Sequence, residues 1–222
     1  MINPIAVRKL RISTISIIGS GGMAAAIGGL AAKAGHTVQV LSRDAAKARA
    51  LAEQIGAGAT SGTFGAGPTG DIVILAVPYS AALDVVKQYS EALAGKLLVD
   101  ITNPVAPDLT SFVTPQDSFG AQEIANAAPA RAEVVKAFNA HFSHVLAAGT
   151  FVGHPLDVFI AGDGAQAKAR VSALIKSLGL RPLDTGPLLM ARTLEHVCLL
   201  SLGLMTHSVK NTHFAIGVSL PG

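Results

Sequence analysis

The chain has 222 residues, of which 50% are hydrophobic and 14% charged, and a formal net charge of +3. This length and apolar content suit one large domain, or one domain with a small helical appendage, around a sizeable core. The weak basic excess contains no long Lys or Arg run, which excludes a nucleic-acid track, and the lone cysteine, Cys198, excludes an intrachain disulfide.

Arg8, Lys9 and Arg11 precede an uncharged stretch from Ile12 to Ala32 in which Ala24-Ala25-Ala26 resembles a cleavage site, the outline of a signal peptide or membrane segment. The glycines at 19, 21, 22, 28 and 29, and the second strand pattern that follows at once, argue for a folded element and no membrane contact. Residues 12–18 (ISTISII) read as a β-branched strand, 22–34 as a helix stopped by Gly35, and 37–41 (TVQVL) as a second strand. A polar helix follows from Asp44, its expected cap, to about Ile55, with Lys47, Arg49 and Glu53 on its face. The glycine-rich residues 56–70 hold a short strand and a loop. DIVILAV, from Asp71, is an apolar run suited to a strand covered on both faces, and Pro78 ends it.

A helix is expected from about Ser80 to Leu93, a fifth strand in KLLVDITNP stopped by Pro104, a helix over 118–128 and a sixth strand in VVKAFN (134–139). DVFIAGD (157–163) is a further strand, 164–178 a helix stopped by Gly179, and RPLDTG (181–186) a short strand. Residues 187–215 read as one long apolar helix or two shorter ones. Within them, Cys198 stands between Val197 and Leu199-Leu200, where a thiol packs as a small hydrophobe in a reducing, cytoplasmic setting. Alternating strands and helices predict an α/β, Rossmann-type doubly wound, mainly parallel sheet. Residues 1–186 would form the nucleotide-binding domain with an added α/β segment, and 187–222 a small C-terminal helical extension that completes an acceptor site or a dimer interface.

The strongest motif is Gly19-Ser20-Gly21-Gly22-Met23-Ala24, a G-x-G-x-x-A pattern directly after a strand and at the start of a helix. Gly19 permits the tight turn, Gly21 lets the backbone approach a pyrophosphate, and Ala24 is small enough for close helix–strand packing. Amide hydrogens at the helix N-terminus then face the phosphates. At the end of the second strand, where an NAD site places Asp or Glu, the chain reads Leu41-Ser42-Arg43-Asp44, with Lys47 one helical turn on. A hydroxyl and a guanidinium in that position, with a second cation, favour the 2′-phosphate of NADP(H). Two later strand ends, Ala76-Val77-Pro78 and Ile101-Thr102-Asn103-Pro104, point into the same cleft, with Val77 placed to pack on the cofactor and Asn103 to hydrogen-bond it.

With these residues in place the chain resembles the NADP oxidoreductases dependent on coenzyme F-420, a deazaflavin, and the cytosolic reductase domain of the membrane ferrireductases. The marks are IIGSGGMA, LSRDAAKA, VDITNP, VVKAFN and GLRPLDTGPL. The resemblance implies that Ser20, Gly21, Gly22 and Met23 cradle the pyrophosphate and that Ser42, Arg43 and Lys47 hold the 2′-phosphate. It also implies that Val77, Asn103, Ala137 and Asn139 border the nicotinamide half, and that the acceptor lies near His141 and the Gly186-Pro187-Leu188 turn. The KAFN sequence matches the ferrireductase domains, so the acceptor stays open between coenzyme F-420 and FMN or FAD.

The resembling enzymes pass hydride directly between two rings, with no catalytic acid or base required. The chain accordingly shows no Ser-His-Asp arrangement and no metal-ligand cluster. Two other readings are an NADPH-dependent imine or hydroxy-acid reductase, which usually carries a longer helical C-terminal part, and a non-catalytic NADPH sensor. The apolar stretch from Val197 to Met205 suggests a homodimer.

Overall fold

The computed structural model describes residues 12–219, so the cationic residues Arg8, Lys9 and Arg11 lie outside the described residues. The expected first half is present: β1 (Thr14–Ile18), α1 (Gly22–Lys33), β2 (Thr37–Ser42), α2 (Ala45–Ile55), β3 (Thr60–Thr63), β4 (Ile72–Leu75), α3 (Tyr79–Tyr89), β5 (Leu97–Asp100), α4 (Gly120–Ala127) and β6 (Glu133–Lys136). Asp44 caps α2 as its position suggested, its carboxylate accepting from the N–H groups of Ala46 and Lys47. Helix α3 stops at Tyr89, short of Leu93, because Ser90 takes a left-handed conformation (φ +35°) and leads into a single 3₁₀ turn. Strand β6 is shorter than VVKAFN. The left-handed Phe138 (φ +60°) turns Ala137–Asn139 out of the ladder.

Three elements follow that the sequence reading did not contain: α5 (Ser143–Ala148) and the two short strands β7 (Thr150–Phe151) and β8 (His154–Pro155). Val152 and Gly153, both with positive φ, form the two-residue turn between these strands. A β-branched residue seldom adopts that conformation, so no turn signal was legible there. Strand β9 (Asp157–Gly162), helix α6 (Ala165–Ser177), strand β10 (Arg181–Asp184) and helix α7 (Ala191–Leu204) complete the order. The expected helix over 187–215 is α7, preceded by a 3₁₀ turn at Leu188–Met190 and followed by a π-helical turn at Met205–Val209. The left-handed Lys210 (φ +60°) ends it, and an irregular tail runs on.

Eight strands form one sheet in the order β3-β2-β1-β4-β5-β6-β9-β10. Every neighbouring pair is parallel except β6 and β9, which are antiparallel, Val135 facing Gly162 and Lys136 facing Ala161. Fully buried Ile15, Ile17, Ile74 and Val99 pack against α1, α5 and α6 in one core layer, while Leu41, Val73, Leu75 and Leu98 meet α3 and α4 in the other. Strands apolar on both faces are what a sheet covered by helices on both sides requires. Asp44→Ala removes the carboxylate that satisfies two orphan N–H groups of α2, which costs about 1 kcal/mol. We expect the thermal midpoint to fall by about 2–4 °C in a calorimetric scan. An unchanged midpoint would show that the cap does not stabilise the fold.

Candidate functional site

The strand order reverses between β1 and β4, and the chain leaves these neighbours toward opposite faces. This opens a crevice at their carboxyl ends. Gly19 closes β1 there with φ +132°, and a Cβ on it would stand 1.9 Å from the carbonyl oxygen of Ala76. Its N–H donates to Leu41 O (2.7 Å), while Ala76 N–H donates to Ile18 O (2.8 Å), stitching the turn to the neighbouring strand ends. Gly21 is the N-cap of α1 and has no side chain to satisfy the first-turn amides. Nothing lies within 4 Å of where its Cβ would be, so an anion can approach the helix N-terminus. Ala24 is fully buried, as the motif demands. Gly22 has a packing role in addition, since a Cβ would meet the Ser143 hydroxyl of α5 at 2.8 Å. Met23 packs against the core.

The Ser20 and Ser42 hydroxyls stand 3.1 Å apart, joining the glycine turn to the end of β2. Beyond Ser42 opens a cleft of about 700 Å³ lined by Arg43, Arg49, Ser61, Thr63 and Gln88 among others. Lys47, expected beside Arg43, is not part of that lining. Its ammonium is solvated and 3.7 Å from the Asp44 carboxylate. The expectation had treated Arg43 and Lys47 as neighbours on one helix, but α2 begins only at Ala45.

On the other side of the crevice, Asn103 and Asn139 clasp one another. Asn103 Nδ2 donates to Asn139 O, and Asn139 Nδ2 donates to Asn103 Oδ1, both at 2.9 Å. The second Asn139 N–H donates to Leu194 O of α7. Val77 is partly buried against the α3 core layer. Ala137 is fully buried, with its N–H donated to Asp100 O.

His141 and the Gly186-Pro187-Leu188 turn do not share a pocket. His141 Nε2 donates to Asp157 O (2.6 Å) at the start of β9, beside the carboxyl end of β6. Because β9 runs antiparallel to β6, its far end lies at the opposite edge of the sheet, about 17 Å away for six strand residues. Gly186 O accepts from Gly162 N–H and Leu188 N–H donates to Asp163 at that far end, which removes Pro187 and Leu188 from the crevice. The C-terminal tail takes their place beside His141. Phe214 meets Phe142 edge-on at 5.5 Å, His213 meets His144 at 4.7 Å, and Thr212 O lies 3.0 Å from His144 Nε2. The tail is irregular, so no periodic signal foretold this contact.

The sequence reading also missed a buried ion cluster. The Lys136 ammonium is completely buried and donates all three protons, to Asp100 Oδ2 (2.8 Å), Glu195 Oε1 (2.9 Å) and Thr102 O (2.6 Å). Glu195, on α7, also accepts from the first N–H groups of α4, Gly120 and Ala121, at 3.0 Å each. Burial by itself would lower the Lys136 pKa, but the Asp100 and Glu195 charges outweigh it and hold it above its ordinary 10.5. Burial, then the charges of Glu123, Glu195 and Asp100, push the nearby Tyr79 phenol up to about 12. Burial pushes the partly buried Cys198 thiol up to about 11, which suits the packing role expected of it. Burial, only partly offset by the contacts with Asp157, holds His141 below its ordinary 6.5.

Among the described residues, three buried side-chain atoms have no hydrogen-bond partner: Thr102 Oγ1, Asn139 Oδ1 and His141 Nδ1. All three follow β5 or β6 at the crevice. No group of three metal-ligating side chains is present among the described residues. The segment Leu188–Val209 has a mean hydropathy of 1.4 and is 28% buried, long and apolar enough by length and composition to cross a membrane.

Residues 14–104 match the profile of a family described as "NADP oxidoreductase coenzyme F420-dependent". The chain is 31% identical over 140 residues to an F420-dependent NADP reductase of Methanocaldococcus jannaschii, covering 61% of this chain and 62% of that protein. It is also 31% identical over 188 residues to the metalloreductase STEAP3 of Rattus norvegicus, covering 83% and 36%. The chain thus spans less than two thirds of either relative. A proposed F420-dependent NADP reductase from Arthrobacter sp. FB24 superposes with a TM-score of 0.82 at 26% identity, covering 93% of this chain and 99% of that one. A reductive aminase from Aspergillus terreus in complex with NADPH gives 0.64 at 25% identity, covering 88% and 63%.

Lys136→Met strands two buried carboxylates and should cost roughly 3–5 kcal/mol in a denaturant titration. A raised folded pKa means that the stabilisation is complete below about pH 10.5 and is lost as pH climbs through the folded value. The wild-type protein should therefore lose stability above that pH more steeply than the variant. Parallel profiles would show that Lys136 does not carry the alkaline transition.

Proposed function

We propose that this chain, whose residues 14–104 match the profile of the coenzyme F420-dependent NADP oxidoreductases, transfers hydride between NADP(H) and a deazaflavin, or alternatively a flavin. The observation that carries this reading is that Thr102 Oγ1, Asn139 Oδ1 and His141 Nδ1, buried and unpartnered, all follow the carboxyl ends of β5 and β6, the strands next to the β1–β4 crevice. Buried polar groups are ordinarily satisfied, and a carboxamide offers two N–H donors for the two acceptors and a carbonyl for the hydroxyl. The crevice thus fits a nicotinamide at one end and a phosphate at the bare N-terminus of α1 at the other.

When bound, the nicotinamide ring supplies the hydride itself. The chain's task is to hold and to shield. The amides at Gly21 and Gly22 would face the pyrophosphate, with Ser20 joining that turn to Ser42. Asn103 and Asn139, locked to each other and to α7, would fix the rotation of the ring. Phe142 and the tail residue Phe214 form an apolar wall beside His141 that would exclude water. Neutral His141, its Nε2 committed to Asp157 O, would act as a hydrogen-bond acceptor rather than an acid. Leu200 of α7, 54% exposed within the apolar stretch from Val197 to Met205, supports a homodimer. A monodisperse monomer by light scattering at micromolar concentration would overturn the dimer.

The function is tested by mixing purified protein and NADPH with coenzyme F-420, FMN, FAD, ferric chelates and cyclic imines. We expect turnover with coenzyme F-420 above the others. Turnover confined to imines, or none with any acceptor despite tight NADPH binding, would refute the proposal. Arg43→Ala should weaken NADPH binding by about 1.5–3 kcal/mol, the range for a hydrogen bond to a charged group, and change NADH little. Equal loss for both nucleotides would remove Arg43 from the 2′-phosphate.

A further inference from the structure

We infer that Arg49, which lines the same cleft as Arg43 at the ends of β2 and β3, is a specificity-determining residue for the 2′-phosphate of NADPH. This rests on the NADP(H) reading proposed above and changes which cation joins Arg43. The cleft begins at Ser42, whose hydroxyl is 3.1 Å from that of Ser20, and so continues the crevice of the glycine turn. Ala45 and Arg49 both line it and stand one turn apart on α2, sharing a face. Lys47 is two residues from each, on a different face of the helix, with its ammonium beside Asp44.

The chemistry of the lining suits a dianion. Its charged members are Arg43 and Arg49, with no carboxylate among them. Neither guanidinium has an ion-pair partner within 4 Å among the described residues, although other surface cations of the chain do. Ser61 and Thr63 stand at alternate positions of β3 and present two hydroxyls to the same cleft. Two planar guanidinium forks with flanking hydroxyls match the several acceptor oxygens of a phosphate monoester better than one mobile ammonium. Two unpaired exposed arginines lining one cleft repel each other, and a bound phosphate relieves that repulsion. Arg49 therefore discriminates for the phosphorylated nucleotide.

Isothermal titration of NADPH, NADH and 2′,5′-ADP into wild-type, Arg49→Ala, Arg49→Lys and Lys47→Ala proteins tests this. Arg49→Ala should raise Kd for NADPH and for 2′,5′-ADP about tenfold, equivalent to about 1.4 kcal/mol, and leave NADH within about twofold. Arg49→Lys should restore only part of the loss, because an ammonium lacks the fork. If Arg49→Ala leaves NADPH affinity intact while Lys47→Ala lowers it, the inference fails and the NADP(H) reading stands. If the wild-type protein binds NADH as tightly as NADPH, the reading beneath it fails as well.

Discussion

A fully buried ammonium has no water to turn to, so every one of its hydrogens must find an acceptor inside the protein. Lys136 meets that demand with Asp100, Glu195 and the carbonyl of Thr102. In doing so it ties the ends of two neighbouring strands to α7, and through Glu195 to the first amides of α4. The geometry of the crevice at the ends of β5 and β6 follows from this. Fixing Thr102 O sets the turn that carries Asn103, and fixing Glu195 sets Leu194, whose carbonyl orients Asn139. A charge that touches no ligand thus determines where the polar groups of the crevice stand. Lys136 has no free proton to offer, so its contribution is positional rather than chemical.

The first half of the molecule was readable because its signals are local. A β-branched strand, a glycine turn, a small residue at Ala24 and a capping Asp44 each act within a few residues of where they are written. The second half depends on contacts that no local pattern records. An apolar run such as DVFIAG states that a strand is covered but not which way it points. The antiparallel pairing with β6 therefore came only from the structure, and it separates His141 from Pro187 and Leu188. Lys136 was legible as part of VVKAFN, yet its partners lie 36 and 59 positions away. Arg49 was visible on the α2 face, but the count from Arg43 was made as though that residue were already helical.

The polar ends of the crevice differ in kind. At the side proposed for the adenosine, exposed Arg43, Arg49 of α2 and the β3 hydroxyls surround a broad cleft. At the side proposed for the nicotinamide, half-buried Asn103 and buried Asn139 are held by reciprocal bonds. Loose charge at one end suits recognition of a hydrated phosphate, and rigid amides at the other suit alignment of a ring to within the tolerance that direct transfer needs. The irregular tail lies against the rigid end, where Val218 is held by Asp157 and Arg181.

Antiparallel β9 has a further result at the margin of the sheet. A six-strand sheet ending at β6 would leave a flat, hydrophobic border open to recruit another chain. The added pair moves that border out to β10, whose sequence is Arg181-Pro182-Leu183-Asp184. Pro182 has no N–H to donate, and charged residues stand at both ends of the strand. Such a border resists edge-to-edge aggregation. The added strands, whose Asp157 O holds His141, thereby also protect the chain from association through its own sheet.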